Sequence, residues 1–321
     1  MKLWRFHLYC IQKIFYRKDK AMAFVAGAGA TNIDLLYENM PKIPGIGEEI
    51  YTDKFSLQLG GGLPATLINI GRLGIDSKIA TELGDDMFSE FAKAKFTENG
   101  VSPANLYKGS GIPLNITSAI ILKNDRSFIT YGKGSIEPDD QAKEEFYNIA
   151  KGAKICLMSA GGFIDVYKRL KAEGTIMVLD MGWDEELSFE KYHELLTIAD
   201  YYTPNQKEAL KITGKSNAKD AAYALKKYFD KVIVKVDKDG CIGIDGNDYF
   251  FCPSLEQFKN VDSTGAGDAF LAGFVYGLFY DYPLKDCIEF GNITGGKAVT
   301  AVGALSAYVT EQELLEMKKD K

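Results

Sequence analysis

From residue 155 onward the chain alternates short apolar runs with segments of helical spacing, and this alternation limits the possible folds more than any other feature. The runs at 155–158, 175–179, 201–203 and 232–236 predict buried strands. The segments at 165–172, 192–196, 206–213 and 218–228 predict helices between them. Such strand–helix–strand units build a parallel sheet with helices on both faces. The expected fold class is therefore α/β, a doubly wound and mostly parallel sheet. Earlier in the chain, 23–28 and 77–83 predict strands, and 65–73 and 88–99 predict helices closed by Gly74 and Gly100.

Two stretches interrupt this order. One is 39–59, with a bend rich in Pro and Gly at 41–47. The other is 112–131, where the runs 117–122 and 128–131 flank the turn Asn124-Asp125-Arg126, a hairpin candidate. Strand-rich insertions of this kind are expected to form a separate small sheet from about 35–60 and 112–131. No linker or internal repeat divides residues 22–321, which are taken as one domain. Residues 1–21 differ: Lys2, Arg5, Lys13, Arg17, Lys18 and Lys20 face Asp19 alone. They are expected to be a poorly ordered extension, or an upstream start with Met22 as the true beginning. No apolar stretch suits a signal peptide or a membrane span, so a cytoplasmic location and no membrane partner are expected. A basic amphipathic segment lying on a membrane surface is the alternative for these residues.

The apolar fraction of 46% supports a sizeable core, and a net charge of −6 with mixed signs argues against a nucleic-acid partner. The five cysteines, at 10, 156, 241, 252 and 287, form no CxxC pair, which argues against zinc. Cys156 lies in an apolar run and is expected to be buried. His7 and His193 have no triad partner by motif and are expected to be structural or on the surface. Trp183, in a turn after a strand, is expected to pack.

The chemistry concentrates in Asp262-Ser263-Thr264-Gly265-Ala266-Gly267-Asp268, followed by an apolar helix at 271–279. Small residues let the amides of Gly265, Ala266 and Gly267 converge, and a helix N-terminus behind them favours an anion. Asp268 beside such an anion site can take a proton from an attacking hydroxyl. A helix N-cap with a glycine-rich turn is the plain alternative. Gly27-Ala28-Gly29-Ala30-Thr31-Asn32 only partly mimics a dinucleotide-binding loop, because Asn32 stands where the third Gly is needed.

The 262–268 run resembles the C-terminal signature of the ribokinase-like (PfkB) carbohydrate kinases, and the resemblance extends from about Phe24 to the C-terminus. It implies a ribokinase-like fold whose small β-sheet is a lid over the sugar. It also implies ATP-dependent phosphorylation of a hydroxymethyl group on a small sugar, with Asp268 as general base and Gly265, Ala266 and Gly267 as the anion hole. Asn32 and Asp34 match a sugar-binding Asn-x-Asp pair, for which an Asx turn is the alternative. Gly61 and Gly62 resemble the Gly-Gly pair of the N-terminal signature, although Ala65 or Thr66 replaces its usual Asn. Asn205 and Glu208 match an Asn-x-x-Glu motif that implies a phosphate contact and Mg2+ held through water.

In the nucleotide loop Gly240 is retained, while Lys235 and Asp237 replace a Thr and a Gly. Lys235 reads equally as a phosphate contact or a strand cap. Asn292 matches an Asn beside the adenine. Asp262 and Thr264, with carbonyls near Ala298, Ala301 and Gly303, match a loop pair that holds K+ in many members. The implied ligands are thus ATP, Mg2+, K+ and a small sugar, and the lid offers an edge for a homodimer. A nucleoside kinase of the same fold, or an inactive sugar- or nucleotide-binding homologue, is the competing reading.

Overall fold

The computed structural model describes residues 23–123, 125–133 and 135–319, so the basic extension at 1–21 lies outside it. The chain runs β1 (Val25–Ala28), β2 (Asn32–Glu38), β3 (Lys54–Gly60), α1 (Gly62–Arg72), β4 (Ser77–Thr81), α2 (Met87–Glu98) and β5 (Val101–Asn105). It continues through β6 (Asn115–Ile121), β7 (Arg126–Tyr131), α3 (Asp140–Ala150), β8 (Ile155–Met158), α4 (Ile164–Ala172), β9 (Ile176–Leu179) and α5 (His193–Ile198). Next come β10 (Tyr201–Tyr202), α6 (Gln206–Thr213), α7 (Ala218–Leu225), β11 (Lys231–Lys235), β12 (Gly240–Asp245) and β13 (Asp248–Pro253). Helices α8 (Ala266–Phe279), α9 (Leu284–Ala298) and α10 (Glu311–Lys319) end it.

Six strands form a parallel sheet in the order β10-β9-β8-β1-β4-β5. Side chains along a strand alternate between faces, and here they alternate between two cores. Val25, Ile155, Leu157 and Val178 join one core with residues of α1, α2, α8 and α9. Ala26, Cys156, Met158, Met177 and Leu179 join the other with residues of α3 to α7. Both faces are thus covered, as a parallel sheet requires. Strand β1 has β4 on one side and β8 on the other, so the crossovers diverge there and leave a crevice at the carboxyl ends of the strands.

The run at 232–236, expected in the parallel sheet, leads a separate antiparallel sheet β11-β12-β13 instead. A single parallel bridge, Asn205 to Lys235, links it to the main sheet. The small sheet has the order β3-β2-β6-β7 and mixes antiparallel pairs with the parallel pair β2–β6. Strand β2 begins at Asn32, ahead of the expected 35, so Asn32 and Asp34 sit on a strand rather than in an Asx turn. Trp183 does not pack as expected: it is 57% exposed in the loop after β9. Cys156 is fully buried, and His193 is exposed. Among the described residues no helix is long and apolar enough to cross a membrane.

Helix α8 is buried all round from Ala269 to Phe279. It meets α9 through glycines: a Cβ on Gly273 would lie 2.5 Å from the Phe290 carbonyl oxygen and 2.3 Å from Thr294 Oγ1. Gly273→Ala therefore forces the two backbones apart and is expected to destabilise the fold by about 1–3 kcal/mol, measured by chemical denaturation.

Candidate active site

Two cavities meet at Asp268. The larger, about 500 Å³, lies over the carboxyl ends of β1, β8 and β9 and is lined by Ala28 to Ala30, Ser159 to Gly161 and Asp180 to Gly182. The smaller, about 300 Å³, lies between the inner face of the lid and the loops around Gly265 and Gly303. Asn32, Gly61, Gly62, Thr117 and Asp268 line both.

The lid supplies the polar wall. Along β2 the inner residues are Asn32 and Asp34, with Thr117 facing them from β6. Asn32 donates its amide to Asp34 Oδ1, while its own carbonyl accepts from the Thr117 hydroxyl at 3.1 Å. Burial raises the Asp34 carboxyl to about 6, against the pull of the Asn32 hydrogen bond. Gly60 makes room for it, since a Cβ there would sit 2.0 Å from Asp34 Oδ2. Gly61 follows with φ of 86° and caps α1. A Cβ on Gly62 would face Asp268 Oδ1 at 3.4 Å.

Asp268 stands in the first turn of α8. It opens on the cavities but is crowded by protein elsewhere. Burial raises its pKa to about 7, with Asp180 adding to the rise and Lys235 opposing it. Gly265 precedes the helix in the left-handed region, φ 75°, pressed so close to Ala304 that a Cβ would lie 2.6 Å from its Cα. One expectation needs correction: the Ala266 N–H does not join a common centre but closes a turn onto the Ser263 carbonyl at 3.2 Å. Of the three amides this leaves those of Gly265 and Gly267 as the candidates for an anion at this helix N-terminus.

A charged cluster lies beside Gly267. Lys235 Nζ is 2.9 Å from Asp180 Oδ2 and would be 3.7 Å from a Cβ on Gly267. Burial alone would lower the Lys235 pKa, but Asp180, Glu208 and Asp268 together hold it above its usual value. Glu208 and Asn205 form a capping box at the start of α6: Glu208 Oε2 accepts from the Asn205 N–H at 2.8 Å, and Asn205 Oδ1 accepts from the Glu208 N–H at 3.0 Å. Burial and Asp180 raise the Glu208 pKa, while Lys235 and Asn205 oppose them.

Asp237 occupies a left-handed turn, φ 47°, the backbone role that a glycine fills without strain. Gly240 has φ of 127°, and a Cβ there would lie 2.2 Å from the Cys252 carbonyl oxygen. Asn292 is buried rather than exposed, and it donates to the Cys252 and Pro253 carbonyls at 2.9 and 3.2 Å.

The structure thus gathers Asn32, Asp34, Gly61, Gly62, Asp262, Thr264, Gly265, Gly303 and Asp268 around the smaller cavity. Lys235, Glu208 and Asn205 form the charged cluster, while Gly240 and Asn292 meet at the end of β13. Ala298 and Ala301 line neither cavity. Two residues escaped the sequence reading. Asp180 ends an apolar run, and its place at the carboxyl end of a parallel strand was the available signal. Arg126 reaches Asp262 from the lid, 136 positions away, and carried no local signal.

The sequence profile of the pfkB family carbohydrate kinases matches residues 22–311. Among curated proteins, the chain is 25% identical over 296 residues to 5-dehydro-2-deoxygluconokinase of Clostridium perfringens, covering 83% of this chain and 86% of that one. It is 27% identical over 290 residues to aminoimidazole riboside kinase of Salmonella typhimurium, covering 80% and 87%. Among solved structures, ribokinase of Arabidopsis thaliana complexed with ribose and ATP superposes with a TM-score of 0.77 at 22% identity, covering 93% of this chain and 99% of that chain. With the family profile spanning residues 22–311 of the 321, the chain belongs to the pfkB family of carbohydrate kinases.

Proposed function

We propose that this carbohydrate kinase transfers the γ-phosphoryl group of ATP to a hydroxymethyl group of a small sugar, with Asp268 as general base. The observation that carries this reading is the position of Asp268 on the floor shared by both cavities, beside a helix N-terminus and with its carboxyl raised to about 7. A base poised near the working pH can accept the hydroxyl proton as the oxygen attacks. Asn32 and Asp34 offer acceptors to sugar hydroxyls from the lid, and Gly61 and Gly62 let the sugar approach the backbone. The Gly265 and Gly267 amides are aimed at the charge that develops on the transferring group. Closing the lid excludes water, which would otherwise compete as the nucleophile.

Lys235, Gly240 and Asn205 face the nucleotide in this reading, and Asn292 braces the strand end behind it. Asp180, Glu208 and Asp268 set three carboxylates against the one ammonium of Lys235, a surplus of negative charge that suits a hydrated Mg2+. Glu208 would hold it through water, and the ion would offset phosphate charge when bound.

The outer face of the lid is apolar, with Phe55, Ile129 and Tyr131 more than half exposed. A second copy of this chain suits that face, and the proposed assembly is a homodimer. Ile129→Glu is expected to sediment as a monomer where the unaltered protein sediments as a dimer.

Asp268→Asn is expected to lower kcat by about three orders of magnitude while calorimetry shows Mg-ATP binding retained; near-normal turnover would refute the base assignment. The charged groups bearing on Asp268 are Asp180, at the end of β9, and Lys235, at the end of β11. A raised carboxyl is protonated below its pKa and inactive as a base. The rate kcat/KM is therefore expected to rise with pH through a single ionisation near 7. A profile flat from pH 5 to 9 would exclude Asp268 as the titrating base.

A further inference from the structure

Asp262 opens the loop that leads to Gly265, and the family resemblance places it, with Thr264 and carbonyls near Ala298, Ala301 and Gly303, around a monovalent cation. The donors around it do not fit that assignment. Oδ1 accepts from the Thr264 N–H at 3.0 Å, the Thr264 hydroxyl at 2.8 Å and Arg126 Nη1 at 2.6 Å. Oδ2 accepts from the Gly303 N–H at 2.9 Å. Three of these donors crowd Oδ1, which leaves it no lone pair for a cation, and the Gly303 N–H takes one of the two on Oδ2. Gly303 turns an N–H toward the carboxylate, which a cation in that place would repel. The carboxyl pKa lies below its usual value even though burial opposes this, because these donors and the Arg126 charge favour the ionised form.

The positive charge at this spot comes from the lid. Arg126 starts β7, its guanidinium lies 5.7 Å from the Phe128 ring centroid, and both side chains line the smaller cavity. The Asp262 side chain is only 10% exposed, so the pair is partly shielded from solvent screening. Gly265 is three residues beyond Asp262 and is pressed against Ala304, next to Gly303. Asp262 therefore ties three pieces together: the lid, the loop that ends in the anion hole, and the loop after α9.

We propose that the Arg126 guanidinium takes the place of the monovalent cation at Asp262, so that the kinase needs no K+ and its anion-hole loop receives its counter-charge from the closed lid. Arg126 is then a positioning residue: it acts on the reaction through Asp262 and Gly265. The inference rests on the kinase reading above.

The first test is Mg-ATP affinity, measured by calorimetry in KCl and in tetramethylammonium chloride at equal ionic strength; it needs no sugar and so reports even if the substrate assignment is wrong. The expected result is an affinity that changes by less than about twofold between the salts, with turnover on an accepted sugar equally indifferent. Arg126→Ala is expected to lose about tenfold in kcat, to regain part of it with K+ or guanidinium, and to be matched closely by the unaltered enzyme when the change is Arg126→Lys. Rescue by an added cation is a response that simple loss of packing would not give. Twofold or greater strengthening of ATP binding or turnover by K+ in the unaltered protein would overturn the proposal, as would an Arg126→Ala enzyme with unchanged kcat. Failure to phosphorylate any sugar, with ATP binding intact, would count against the kinase reading and leave the salt comparison decisive for this one.

Discussion

The burial of α8 is the constraint on which the site depends. A helix enclosed on every side cannot rotate or slide without opening both itself and α9, because Gly273 and Gly277 bring the two backbones nearly into contact. Its N-terminus is consequently fixed at the junction of the two cavities, and Asp268 with it. Catalysis by positioning requires that rigidity, since a misplacement of about 1 Å can cost two orders of magnitude in rate. The apolar helix thus serves as the mount for a polar site, and the glycines along it are part of that mount.

The charges around Lys235 do not balance. One ammonium stands among three carboxylates, and the closest pair, Lys235 with Asp180, keeps the ammonium from neutralising Asp268. Had Lys235 paired directly with Asp268, the carboxylate would have been held ionised and weakly basic. Burial sets most of the rise in the Asp268 carboxyl, and Asp180 adds to it from 88 positions away in sequence. Low dielectric strengthens each of these effects relative to water.

The α/β order was legible because each buried strand and each helix is a local pattern. Strand β11 misled for a physical reason: Val232, Ile233 and Val234 are buried on both faces, as a parallel strand would be, yet their neighbours are antiparallel. The 262–268 run placed Asp268 correctly at the start of a helix, but the Ala266 amide was lost to a turn that only the folded backbone reveals. Asn32 and Asp34 were singled out as a polar pair, while the strand that carries them was expected to begin only at about 35, because alternation over so short a stretch is weak. Asp180 and Arg126 went unseen because their partners lie 55 and 136 positions away, distances that no local pattern spans.

At one of its crossings the small sheet joins the core with almost no intervening chain. Strand β3 ends at Gly60 and α1 begins at Gly62, so a single residue, Gly61, separates the small sheet from the helix beneath it. Those three glycines are also the surface on which Asp34 and Asp268 converge. At this crossing a swing of the small sheet would be absorbed by the glycines, where φ and ψ can change most freely. Hinge and floor are therefore one structure. In the proposed reaction, letting the product go would mean dismantling the seat that held it, and the next sugar would find a complete seat only once the cover had come down again.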